Sequence, residues 1–308
     1  MASTDDIFAT HELLEAIETI PELSGAHVTG ILARSSGLRT VYQGEFRGQL
    51  AVFRHQSGPD AAKIIETESK EIERVQEWMG HGANQAVRLL YSNPEIGLLI
   101  VTQATGLSIR HAIQKSPERR QELVERAALW LGAYSHPSRK KGAFPKARFL
   151  TRLGPIISKK LERRHQTLWQ DVQVAMDKHA PDEGVKCVLA QTHGDFHPSN
   201  IVVDNDQVTG FDLGGSHFMP LAKDVSRFLV ALQTSCPAKG VPMHFGVVKA
   251  EFEVFADVLK LDSQHRDIVL PFLIGFDILH RGPQRKKAKP DRIKRSVVMA
   301  RAYLKDAT

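Results

Sequence analysis

Residues 191–215 read "QTHGDFHPSNIVVDNDQVTGFDLGG" and carry His193, Asp195, His197, Asn200 and Asp212 among turn-formers and two short apolar runs. Polar groups of this kind are costly to order unless they bind a metal, move a proton or satisfy one another. "NIVV" and "VTGFDL" have the β-rich composition of strands, and residues 204–207 between them predict a hairpin. The loop "HGDFHPSN" sets Asp195 and Asn200 five residues apart beside a proline, and Asp212 ends the neighbouring strand. Across such a hairpin Asn200 and Asp212 can face one cation from adjacent strands, with Asp195 beside it as a base. Phosphoryl transfer asks for this set: a carboxylate to orient and deprotonate the attacking hydroxyl, and hard oxygen ligands to hold Mg2+ against the phosphates.

Upstream of this stretch the texture is different. Residues 4–19 predict an amphipathic helix, with Ile7, Leu13, Leu14, Ile17 and Ile20 near one face. "AHVTGILARSSGLRTVYQGEFRGQLAVFRHQ", residues 26–56, is rich in β-formers and punctuated by glycines, which predicts three strands. "AAKIIETESKEIERVQEWMG" predicts a long helix closed by Gly80, and "AVRLLYSNPEIGLLIVTQA" two more strands around Asn93-Pro94. After Gly106 helices dominate. Ser116 and Pro117 open one of them as cap and first residue, and residues 154–179 predict a second, long one. "VKCVL" is a further strand before the opening stretch. The expected fold class is α+β: a small antiparallel β-rich N-lobe with one long helix over residues 1–105, including the extra helix 4–19. A larger, mostly helical C-lobe with a short hairpin insert follows over residues 106–308.

The bulk composition is that of a globular protein. The chain has 308 residues, 42% hydrophobic and 25% charged. No apolar run approaches the ~20 residues needed to cross a bilayer, and the start lacks a basic segment followed by an apolar one. Two cysteines, Cys187 and Cys236, form no CxxC pair, which fits a reducing cytoplasm. Lys and Arg number 41 against 35 acids, a net charge of +6. The surplus gathers in residues 138–148, "SRKKGAFPKAR", and 281–295, "RGPQRKKAKPDRIKR". Solvated faces explain most such runs, and attraction for an anion explains others. No aromatic residue lies among the cations of 281–295 and a single one, Phe144, among those of 138–148, short of what a single-strand stacking platform requires, which argues against nucleic acid.

Together "HGDFHPSNIVVD", "VTGFDLGG" and "AKDVSRFL" resemble the aminoglycoside phosphotransferase and choline kinase-like family, a branch of the protein kinase-like fold. The resemblance covers most of the chain. It implies a two-lobed kinase-like fold with ATP and Mg2+ in the cleft, Asp195 as catalytic base, and Asn200 and Asp212 as metal ligands. His193 would brace the loop, supported by Asp224 from the next helix. Gln103, Ala104 and Thr105, in the segment resembling the interlobe connector, would hydrogen-bond the purine, with GTP as an alternative to ATP. The family pattern places a lysine on the third strand to hold phosphates; here "LAVFRHQ" offers Arg54, which donates to phosphate with a different geometry. Glu66, Glu68, Glu71 and Glu73 compete to pair with it. Glu71 is favoured, because Ile72, Val75 and Met79 then pack inward beside it. Ser35, Ser36 and Gly37 are candidates to lie over the phosphates through backbone N–H groups, and a solvated hairpin tip explains the serines equally well.

Simpler readings compete at several positions. His193 and His197 alone read as hydrogen-bonded structural residues, and Asp204 and Asn205 as turn residues. His193 and Asp195 have the spacing of the first two ligands of a two-histidine, one-carboxylate iron centre, but the helical sequence after residue 215 supplies no jelly roll for it. Arg54 in place of lysine is the one feature favouring a pseudokinase that binds nucleotide or a partner without turnover. The acceptor side is basic: residues 214–308 hold 16 Lys and Arg against 9 Asp and Glu, so the remaining residues net −1. That field disfavours a polycation and predicts a small-molecule hydroxyl acceptor that is neutral or anionic, with residues 281–295 helping to steer it.

Overall fold

Alternation of small and large inward residues along "RTVYQGEF" makes the second strand one-sided, and a sheet grows around it. Thr40, Tyr42, Gly44 and Phe46 point inward while their neighbours are more exposed. The computed structural model describes residues 4–35, 38–159, 161, 163–282 and 289–307. Five antiparallel strands run in the order β1 (His27–Ser35), β2 (Arg39–Phe46), β3 (Gln49–Gln56), β6 (Leu98–Thr102) and β5 (Leu89–Asn93). The short strand β4 (Asn84–Ala86) precedes β5. Helix α1 (Thr4–Thr19) places Leu13 in a cluster with Leu23, Tyr42, Phe46, Phe53, Leu98 and Ile100, all essentially inaccessible. Helix α2 (Ala61–Met79) buries Ile65, Glu68, Ile72, Val75 and Met79 along one face. Gly44 is required by contact: a Cβ there would lie 2.0 Å from the carbonyl oxygen of His27.

The chain divides into two compact units: Met1–Gly106 with Thr209–Gly215, and Leu107–Val208 with Ser216–Thr308. Sequence alone placed everything after residue 105 together; the segment that carries Asp212 instead groups with the first unit.

In the second unit β7 (Leu107–Ser108) leads into α3 (Ile109–Lys115) and α4 (Arg120–Ser135). Ser116 makes no capping bond; a 3-10 turn at Pro117–Arg119 intervenes before α4. The basic run at residues 138–148 contains β8 (Lys140–Ala143), whose backbone pairs with β9 (Lys186–Thr192) while Lys140 and Lys141 stay exposed. Where sequence predicts one helix over 154–179 there are two, α5 (Lys146–Lys159) and α6 (Gln166–Lys178). A continuous helix would set Lys159 above Arg163 and Lys160 above Arg164, like charges one turn apart. Strands β10 (Ile201–Asp204) and β11 (Gln207–Gly210) form the expected hairpin, turning at Asn205 with φ +46°, and β10 also pairs with β7. Strand β12 (His217–Pro220) flanks β9.

Helices α7 (Ala222–Ser235), α8 (Lys249–Val258), α9 (Leu270–His280) and α10 (Pro290–Ala307) complete this unit. Every residue of α9 from Leu270 to Leu279 is buried, so it is the unit's central rod. Phe196 stacks on Trp130 of α4 at 5.8 Å and on Phe228 of α7 at 5.0 Å. Cys187 and Cys236 are free and buried, and burial pushes the Cys187 thiol up to about 11. No helix among the described residues is long and apolar enough to cross a membrane.

Helices α9 and α10 approach through Gly275, where a Cβ would lie 2.6 Å from the Tyr303 hydroxyl and 2.7 Å from its ring. Tyr303 is fully buried. Gly275→Ala is therefore expected to lower stability by about 1–2 kcal/mol despite alanine's helix preference. Scanning calorimetry checks this; an unchanged or higher Tm would show that the two helices are not held at this spacing.

Candidate active site

Within the first unit, three elements bring charge together. Arg54 of β3 is buried and forms an ion pair with Glu68 of α2. Its Nη2 also donates to Asp212 Oδ1 at 3.0 Å, and Arg39 Nη2 donates to the same oxygen at 3.2 Å. Burial is the main influence on the Arg54 guanidinium and Arg39 adds to it; against the pull of Asp212 they bring it down to about 10, still protonated at neutral pH. Asp212 has φ +65°, a left-handed conformation that costs a non-glycine residue strain. Gly214 follows it, and a Cβ there would come within 3.2 Å of Glu68 Oε2, so glycine lets this turn lie against the carboxylate.

Glu71 does not hold Arg54. Its carboxylate takes a two-pronged bond from Arg74, Nε at 2.9 Å and Nη2 at 2.5 Å, and the Arg74 guanidinium lies over the Trp78 ring. Glu68 and Glu71 are both on the buried face of α2, one turn apart, and β3 runs beside the earlier turn. Ser35 ends β1, while Ser36 and Gly37 lie outside the described residues. Gln103, Ala104 and Thr105 form an extended segment after β6, and the Gln103 N–H is given to the Leu50 carbonyl at 3.0 Å.

In the second unit the loop after β9 rests on one buried carboxylate. Asp224, in the first turn of α7, accepts from the His193 N–H at 2.7 Å and the Gly194 N–H at 3.2 Å. Burial pushes Asp224 up to about 6 against the pull of those N–H groups. Gly194 has φ +80°, the region open to glycine, and this turns Asp195 away from the core. The His193 ring is fully buried among Trp130, Tyr134 and Phe196, with centroids 5.8–6.1 Å away. Among the described residues no three His, Cys, Asp or Glu side chains are placed to hold a metal ion.

Asp195 Oδ1 accepts from Arg227 Nε at 3.1 Å and Nη2 at 2.8 Å, and from Arg281 Nη2 at 3.3 Å. Oδ2 lies 3.4 Å from His197 Nε2. His197 Nδ1 accepts the Ser199 N–H at 3.1 Å, so the proton sits on Nε2 and faces the carboxylate. Burial alone would raise the Asp195 carboxyl, but the bonds from His197 and Arg227 outweigh it and hold it well below the usual carboxylate range. Asn200 Nδ2 donates to the Asp195 carbonyl at 3.1 Å, which fixes the amide so that Oδ1 is its remaining ligating atom. Thus His193, Asp195 and Asn200 share one loop, and Arg54 and Asp212 share an ion-pair cluster.

Residues 49–241 match the profile of the phosphotransferase enzyme family. The chain belongs to that family. Solved structures add the fold at low identity. Aminoglycoside phosphotransferase APH(4)-Ia is 12% identical with a TM-score of 0.60, covering 98% of this chain and 99% of its own. Amicoumacin kinase hAmiN, solved with AMP-PNP and Ca2+, gives 0.63 at 12% identity over 98% and 96% of the two chains. Aminoglycoside 2'-phosphotransferase-IIIa, solved with GDP, gives 0.61 at 15% over 97% and 99%. This family member therefore has the α+β, protein kinase-like fold expected of it. A comparison with curated proteins gives no match.

Arg39, Arg227 and Arg281 were not picked out from sequence. A signal existed for Arg227, which follows Asp224 by three residues on a helix and so shares its face. Arg281 is the first residue of the basic run, read there only as part of a diffuse field.

Two outcomes check this arrangement. Glu68→Ala strands the Arg54 guanidinium with only Asp212 and is expected to cost on the order of 3 kcal/mol, whereas Glu71→Ala should cost about 1 kcal/mol; equal losses in urea unfolding would contradict the pairing. Asp224 is the second. Its folded pKa of about 6 lies above the unfolded value near 3.9, so its ionised form costs stability above pH 6 and the cost is relieved as pH falls. Wild type should therefore gain about 1 kcal/mol on Asp224→Asn between pH 7 and pH 5, measured as the difference between their unfolding free energies. A constant difference would show that the carboxylate titrates normally.

Proposed function

We propose that this chain is a small-molecule kinase that transfers the γ-phosphate of ATP to a hydroxyl of a neutral or anionic acceptor. The observation that carries the reading is the loop at Asp195: a carboxylate on a backbone pinned by Asp224, with Asn200 bonded to its carbonyl, in a member of the phosphotransferase family. Asp195 orients the acceptor hydroxyl and takes its proton as the oxygen bonds to the γ-phosphorus and the bond to the leaving diphosphate oxygen breaks. A carboxylate held this acidic is a weak base, so its main contribution is alignment, with the proton moving late. His193 positions the loop and does not touch the reacting atoms.

Arg54 holds phosphate oxygens, and Glu68 fixes its direction. Asn200 Oδ1 and the Asp212 carboxylate are hard oxygen donors of the kind Mg2+ prefers. When bound, Mg2+ offsets phosphate charge. Any purine hydrogen bond from Gln103 would use its carbonyl, since its N–H is already given to Leu50; Ala104 and Thr105 continue the same segment. Ser35, Ser36 and Gly37 remain the candidates for covering the phosphates. The division of labour follows the units, Met1–Gly106 for nucleotide and the second unit for acceptor. The rival, a nucleotide-binding protein without turnover, draws on Arg54 in lysine's place and on the arginines that occupy Asp195.

Thermal-shift measurements with ATP and GTP, with and without Mg2+, test the binding half. Metal-dependent stabilisation by ATP is expected, and no response to any purine nucleotide would sink the reading. Turnover tests the rest. Asp195→Asn should leave nucleotide affinity within about twofold and cut kcat by roughly 10²–10⁴, while Asp212→Asn should weaken metal and nucleotide binding together. Wild-type binding without turnover of any hydroxyl acceptor would favour the rival.

A further inference from the structure

Beside Asp195 the charges do not balance. Arg227 and Arg281 both donate to its Oδ1, so two guanidiniums share a single carboxylate oxygen. The nearby cation Lys223 is already matched: its Nζ lies 2.7 Å and 2.6 Å from the two oxygens of fully buried Asp277, which also accepts from the Ser226 hydroxyl. One positive charge is left over where the attacking hydroxyl must lie. Two donor atoms there are also unmet. Arg281 Nε and His280 Nδ1 are buried with no hydrogen-bond partner. They are consecutive residues at the end of α9, and the His280 ring is held flat against Phe276 at 5.2 Å. Burial pushes the imidazole down to about 4, so it is neutral and can present an N–H to a ligand.

We propose that Arg281, with Arg227 and His280, binds an oxyanion on the acceptor itself, so that the substrate is a hydroxyl compound bearing a carboxylate or a phosphate. This rests on the kinase reading of Asp195. The forked guanidiniums suit a planar carboxylate or a phosphate edge, and a neutral sugar or an ammonium group would leave the second positive charge uncompensated. The anion also performs a task for the base. As free protein, Asp195 has Oδ1 occupied by three N–H donors and Oδ2 facing His197. An acceptor anion gives Arg281 a better partner, withdraws it from Oδ1 and opens that oxygen to the hydroxyl proton. The long 3.3 Å contact is the one that yields first, since Arg227 holds the same atom at 2.8 Å. Selectivity and activation then come from one interaction: compounds without the anion leave the base covered.

The test uses acceptors matched except for the anion: glycerol, glycerate and glycerol 3-phosphate; glucose, gluconate and glucose 6-phosphate. Each is measured for binding by calorimetry and for nucleotide-dependent turnover, with wild type, Arg281→Gln and Arg281→Lys. Anionic members should bind at least tenfold more tightly than their neutral counterparts. Arg281→Gln should remove that preference by raising KM for the anionic members ten- to a hundredfold without raising it for the neutral ones, whose kcat should rise because Asp195 Oδ1 is no longer covered, and Arg281→Lys should restore part of the preference. A merely structural role would lower stability and affect both kinds alike. The carboxylate and phosphate arms separate the two sources of the oxyanion. Absence of binding by all four anions, or a preference that survives Arg281→Gln, overturns the inference. Metal-dependent nucleotide binding alongside either result leaves the kinase reading standing. Conversely, Arg281-dependent anion binding by a chain that ignores purine nucleotides would retain the site and refute the kinase.

Discussion

Asp224 is a charged group placed where water does not reach, and the loop that carries Asp195 rests on it. Its two oxygens take consecutive backbone N–H groups, His193 and Gly194. Consecutive amides can point at one carboxylate only if the chain turns sharply there, and Gly194 at φ +80° makes that turn. The direction of Asp195 is thereby set by backbone rather than by its own rotamer. The aromatic packing of His193 against Trp130 and Phe196 closes the loop from the other side. Helix α7 then acts twice: Asp224 pins the loop, and Arg227, one turn later, meets the carboxylate that the loop presents. Loss of Asp224 would loosen both Asp195 and its counter-charge.

Features set by local rules were legible in the sequence. The loop "HGDFHPSN", the hairpin at 204–207, helix α1 and the strands of the first sheet depend on turn residues, spacing and alternation within a few positions. The break between α5 and α6 was also present locally, as stacked like charges, but was outweighed by apolar periodicity. What could not be read is which of several equivalent side chains meets a distant partner. Glu68 and Glu71 lie on one face of α2, and choosing between them needs the position of β3, which no pattern within the helix encodes. Arg281 reaches Asp195 across 86 positions, and Arg39 reaches Asp212 across 173. The grouping of residues 209–215 with the first unit is likewise a long-range result.

The two units handle charge differently. In the first, Arg39 and Arg54 are offset by Asp212 and Glu68, so the cluster is neutral as it stands. In the second, Arg227 and Arg281 share Asp195, and the cluster is cationic. A neutral cluster can be rigid before anything binds. A cationic one is held in place against self-repulsion and gains from an arriving anion. Net charge along the chain pointed in the same direction, since the surplus lies after residue 214. Part of that surplus is nonetheless structural, as with Arg295, whose Nη1 is bonded to the Thr234 carbonyl.

The left-handed backbone of Asp212 bears on how variants at this position are to be interpreted. Asparagine tolerates that conformation nearly as well as aspartate, so Asp212→Asn changes charge and little else. Alanine adds about 1 kcal/mol of backbone strain to the loss of the carboxylate, and a β-branched residue adds more. The strain would fall on the turn that lets Gly214 lie against Glu68, and so would reach Arg54 through its partner. Truncation at 212 thus confounds two residues' contributions, and glycine, which relieves the strain while deleting the side chain, is the control that separates them.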